Sequence, residues 1–65
     1  MGLDTRKIKV ILAQKEMNQS NLAKKCGMQP QALSEILRRG TCTLKTIGKI
    51  ANAMGVSVTE IVKED

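Results

Sequence analysis

Apolar residues along this chain fall at spacings of three and four, the repeat of helices that bury one face, and a polar cap, Gly or Pro interrupts each run. Ile8, Ile11 and Leu12 form the first stripe, which predicts a helix from about Thr5 to Lys15 with Asp4 as its N-cap. Leu22, Ala23 and Cys26 form the second, opened by Asn18 and closed by Gly27, a residue that enters the left-handed conformation without a Cβ clash. Leu33, Ile36 and Leu37 form the third. The fixed φ and missing N–H of Pro30 suit the first position of that helix, after Gln29, and Gly40 marks its end. A fourth helix is predicted from just after Thr43 to Met54, burying Leu44, Ile47, Ile50, Ala51 and Met54 before Gly55 stops it. Ser57 and Glu60 stand at capping-box spacing, so a short fifth helix should present Val58, Ile61 and Val62. No strand pattern competes.

The expectation is an all-α fold, a single five-helix domain over residues 1–65. Its shared core would take Ile8, Ile11, Met17, Leu22, Leu33, Ile36, Ile47, Ile50 and Met54, with the methionines as adaptable gap-fillers. Gly48, inside the fourth helix, should cost up to about 1 kcal/mol relative to Ala. It marks either a close approach by another helix or a tolerated weak point. A chain of this length buries only about 60% of its unfolded surface, so the monomer should be modestly stable and would gain from dimerisation.

The second and third stripes, about residues 18–39, have the spacing of a helix-turn-helix, which points to DNA. The stretch NQSNLAKKCGMQPQALSEILRRG (18–40) resembles the helix-turn-helix of the Cro and phage-repressor type, a bacterial and phage transcription-factor family. Residues 43–57, TLKTIGKIANAMGVS, resemble that family's fourth helix and its link to the fifth, so the likeness covers nearly the whole chain. It implies a lambda-repressor-like domain and a sequence-specific regulator of transcription, a repressor, whose third helix enters the major groove. It also implies a homodimer on a palindromic operator with half-sites roughly 34 Å apart.

A helix in the major groove reads bases with its N-terminal turn, here Gln29, Pro30, Gln31, Ser34 and Glu35, with Ala32 permitting close approach. The amide of Gln31 can bond N6 and N7 of adenine together, and its position resembles the family's main base-reading site. Pro30 stands where many relatives carry a polar reader; it either touches a thymine methyl or only starts the helix. Glu35 could accept from cytosine N4, exclude wrong sequences, or be a solvated side chain. Ser34 reaches phosphate or base. Gln19 matches the family position that binds phosphate at a helix N-terminus, or is simply an exposed helix residue. Arg38, Arg39, Thr41, Thr43 and Lys45 cluster where the family tracks the sugar-phosphate backbone. The loop GTCTL (40–44) is shorter than the family's common form, so the resemblance locates a phosphate-binding region there more than individual contacts. Val58, Ile61 and Val62 are candidates for the dimer contact, with core burial as the competing role.

Composition narrows the choice. The net charge is +5, and residues 1–45 carry nine Lys/Arg against three acids while residues 46–65 carry two against three. A basic surface attracts phosphate, although it would also suit anionic lipid. There is no aromatic residue to stack unpaired bases, which favours duplex over single strands. Without His, and with only Cys26 and Cys42 as thiols, neither a zinc site nor a nucleophile–base pair is expected, so neither a cofactor nor catalysis is. No segment approaches the ~20 apolar residues of a membrane span. The N-terminus lacks a signal-peptide pattern, so a cytoplasmic, reducing location is expected, with both cysteines free. Any control by a small molecule would have to come from a partner or from promoter competition, since these residues leave no room for a sensing domain. The alternative reading is a protein-binding module, such as an antitoxin or antirepressor, built on the same fold.

Overall fold

A computed structural model of the chain describes residues 2–63. Four α-helices occupy Thr5–Gln14 (α1), Gln19–Cys26 (α2), Pro30–Arg39 (α3) and Leu44–Met54 (α4). A single 3-10 turn follows at Val58–Glu60. Two short strands, Gly2–Leu3 (β1) and Val62–Lys63 (β2), pair antiparallel with Gly2 opposite Lys63 and Leu3 opposite Val62.

The helix starts follow from side-chain oxygens that accept orphan backbone N–H groups. Asp4 Oδ1 accepts from Lys7 N–H at 3.1 Å, and Thr43 Oγ1 accepts from Thr46 N–H at 3.3 Å. Asn18 accepts from Asn21 N–H at 2.8 Å while the Asn21 side chain accepts from Asn18 N–H at 3.1 Å, a reciprocal box that doubles the cap. The helix α1 ends differently from the others. Glu16 N–H bonds Ala13 O and Met17 N–H bonds Leu12 O, which requires a left-handed residue at Glu16 (φ 55°), where α2 and α4 use Gly27 and Gly55.

The core lies where α1, α2, α3 and α4 converge. Ile8, Leu22, Leu33, Ile47 and Ile50 are fully buried, with Ile11 and Met54 close behind. Met17 and Ile36, expected in the centre, are half-buried at its edge. Leu3 and Ile61 join the core from the two strand-forming ends, although Leu3 belongs to no helical stripe.

Three expectations are corrected. The fifth helix is one 3-10 turn: its capping box forms, with Ser57 N–H donating to Glu60 Oε2 at 3.0 Å, but the bonds run to the third residue back and stop at Ile61. The surrounding Val58, Thr59, Ile61 and Val62 are β-branched and favour extended backbone, and the chain leaves the turn into β2. The strands themselves were not anticipated, so four α-helices are joined by a two-stranded ribbon. Leu44 is 62% exposed, because a residue in the first turn of α4 is covered only if another element stands opposite it.

Candidate nucleic-acid interface

The second helix presents its N-terminus through the Asn18–Asn21 box, which sets Gln19 as its first residue, half-buried against its neighbours. At its other end, Gly27 N–H bonds Lys24 O and Met28 N–H bonds Ala23 O, and the left-handed glycine (φ 71°) reverses the chain. Gln29 follows in extended conformation and Pro30 opens α3. Gln29 makes no capping bond with its side chain, so the start of α3 rests on the proline's fixed φ.

Leu33 and Leu37 are buried and fix the rotation of α3 about its axis. Gln31, Ser34, Glu35 and Arg38, at i, i+3, i+4 and i+7, consequently form one exposed polar stripe on the opposite side, flanked by exposed Pro30, Ala32 and Arg39. Within that stripe Glu35 and Arg38 form an ion pair between exposed side chains. Such a pair adds little stability, about 0–1 kcal/mol. Its effect is to hold one guanidinium nitrogen of Arg38 on the helix face while the group's other donors remain.

Ser34 and Arg38 share a shallow cleft with Gln19 of α2, Lys9 of α1 and the edge of Leu37. Three of the residues singled out from the sequence are thus brought together. Lys9 is the addition: it is exposed on α1, and its place beside Gln19 depends on how α1 packs. The excess of cations in residues 1–45 was the one signal that could have pointed to it.

Arg39 at the end of α3 and Thr41, Thr43 and Lys45 beyond it are all exposed. The Thr43 hydroxyl is already engaged as the cap of α4 and lies 3.0 Å from the Thr46 hydroxyl. Thr41 bridges to Gly2. Of the three residues offered for a dimer contact, Ile61 drops out because it is fully buried in its own chain; Val58 is 37% exposed and Val62 is half-buried.

The two thiols are free. Burial pushes the Cys26 thiol above its ordinary pKa, with the nearby Lys49 opposing the shift, and burial raises Cys42 as well. Cys26 Sγ donates to Lys49 O at 3.8 Å, a weak link between α2 and α4. Among the described residues no group of three or more His, Cys, Asp or Glu is gathered for a metal ion, and no helix is long and apolar enough to cross a membrane.

A model of the Cro/C1-type HTH DNA-binding domain matches residues 7–63, from the first turn of α1 to the end of β2. No curated protein and no solved structure matches the chain. The helix pair joined at Gly27, the outward polar stripe on α3 and the family model agree: the chain belongs to the Cro/C1-type helix-turn-helix DNA-binding domain family.

Proposed function

We propose that this protein is a sequence-specific regulator of transcription, a repressor, that binds a palindromic double-stranded operator as a homodimer with α3 in the major groove. The observation that carries this reading is the stripe Gln31, Ser34, Glu35 and Arg38, exposed on a helix whose rotation is fixed by Leu33 and Leu37. A reading helix needs such fixing, because base contacts discriminate only when the side chains arrive in one register.

In this reading Gln31 makes the bidentate adenine contact, and Gln29, Pro30, Ser34 and Glu35 contact or screen neighbouring bases. Gln19, Arg38, Arg39, Thr41, Thr43 and Lys45 follow the phosphates, joined by Lys9 through the shared cleft. Val58 and Val62 remain as the exposed and half-exposed apolar residues for the contact between copies. Repression is part of this reading because a dimer seated on a promoter excludes polymerase from it.

The test is selection of bound duplexes from a random library, with the Gln31→Ala protein at matched salt. An enriched palindrome with half-sites about one helical turn apart, relaxed at one position by the substitution, supports the reading. Absence of enrichment by the unsubstituted chain overturns it and moves the weight to non-specific DNA binding or a protein partner.

A further inference from the structure

We propose that β1 is a positioning strand for the loop that leaves the reading helix: it holds residues 40–43 for backbone contact and ties that loop to the C-terminal strand. The inference rests on the DNA reading above for the purpose of the loop, and on hydrogen bonds for its mechanism.

Gly40 closes α3 in the left-handed conformation (φ 73°), with its N–H donated to Ile36 O at 2.8 Å. Its carbonyl accepts from Leu3 N–H, also at 2.8 Å, so the glycine is gripped by the helix through one group and by β1 through the other. That bond sets Gly2 opposite Thr41 on this edge as an antiparallel bridge. The other edge of β1 takes β2, and Asp4 N–H donates to Ile61 O at 2.8 Å. The Leu3 side chain is 3% exposed and packs in the core, apart from the hydrogen bonds that its backbone makes to the loop. At the far end of the loop, Thr43 caps α4. The segment beside Arg38, Arg39 and Lys45 is therefore held by α3, by β1 and by α4.

Ordering these residues before DNA arrives removes an entropic cost from binding. Base reading should not depend on it, because Gln31 sits on a helix fixed independently by Leu33 and Leu37. The strand should therefore contribute to general affinity and leave sequence preference alone.

Two variants separate this role from simple core packing. In a synthetic 65-residue chain, an ester in place of the Gly2–Leu3 amide removes the Leu3 N–H and keeps the leucine side chain. Leu3→Ala keeps the N–H and removes the packing. Both are compared with the unsubstituted chain at a temperature where all are folded, by amide exchange at residues 41–43 and by affinity for mixed-sequence DNA and for the duplex enriched by selection. The ester should raise loop exchange and weaken both duplexes by about three- to tenfold, the equivalent of one backbone hydrogen bond, with the ratio between duplexes unchanged. Leu3→Ala should lower the Tm while keeping affinity within about twofold, less than the loss of one such bond. Unchanged loop exchange in the ester overturns the positioning role whatever the DNA result. Faster exchange with unchanged affinity overturns its link to binding. Failure of the unsubstituted chain to bind either duplex overturns the functional reading instead, and the exchange result still decides whether β1 orders the loop.

Discussion

Gly48 offers a direct test of how α4 sits in the molecule. It lies inside Leu44–Met54, and a Cβ built on it meets no heavy atom within 4 Å. Gly48→Ala therefore introduces neither a clash nor new packing within the chain, and its effect reduces to backbone entropy and helix propensity. That difference favours Ala by about 0.5–1 kcal/mol in a helix interior. For a domain of this size the gain corresponds to a rise in Tm of roughly 2–8 °C. Urea unfolding should show a higher midpoint at unchanged m, because the surface exposed on unfolding is nearly the same. DNA affinity should be unaffected. An unchanged or lower midpoint would refute the reasoning and show that the bare backbone is needed. A loss that grows with protein concentration would place Gly48 at a contact between copies, since only an assembled state depends on concentration.

Glu16→Gly should raise the unfolding free energy by about 0.5–1 kcal/mol, read as a higher urea midpoint, because a left-handed non-glycine residue costs about 1–2 kcal/mol and glycine returns part of that as chain entropy; no gain would mean that Glu16 is unstrained. Arg38→Ala should weaken binding to every duplex and reduce the slope of log affinity against log salt by about 1, whereas Gln31→Ala should cost about 1–3 kcal/mol on the preferred base alone. Binding titrations at several salt concentrations check both, and a uniform loss in Gln31→Ala would remove it from the reading set. Leu44→Gln should leave stability within about 0.5 kcal/mol, as expected of a surface side chain, and a larger loss on thermal unfolding would return Leu44 to the core. The raised thiol pKa values of Cys26 and Cys42 leave less thiolate than in a free cysteine at pH 8, so iodoacetamide should react more slowly with both. The sign for folding follows: the stabilisation is present below the ordinary thiol pKa and is lost as pH rises through the raised folded values. A rate equal to that of a free cysteine would contradict the burial of these thiols.

Most of the helical frame was legible because its signals are local. Asp4, Asn18, Pro30 and Thr43 open the four helices where their side-chain or ring chemistry predicts, and Gly27, Gly40 and Gly55 close three of them. The reciprocal role of Asn21 was missed because the familiar capping box carries Glu or Gln at that position, although an Asn amide offers the same acceptor. The stripe on α3 was equally legible, since helical periodicity that buries Leu33 and Leu37 must turn Gln31, Ser34, Glu35 and Arg38 outward.

Nothing local announces the pairing of Gly2 with Lys63 or the bond from Leu3 to Gly40, because the partners lie far apart in sequence and each strand is two residues long, too short for an alternating pattern. The same distance hid the meeting of Lys9 with Gln19, Ser34 and Arg38. Ile61 and Leu44 show the reverse case: both fit an apolar stripe, yet one is fully buried and the other is mostly exposed. Periodicity states which residues share a face, whereas burial depends on what stands opposite that face. The sequence alone thus determined the four α-helices, their starts, the glycine ends of three of them and the polar face of α3. The tertiary structure decided how the chain ends close onto the loop after α3 and which side chains from separate helices form one surface, because both depend on contacts that loop closure and core packing bring together.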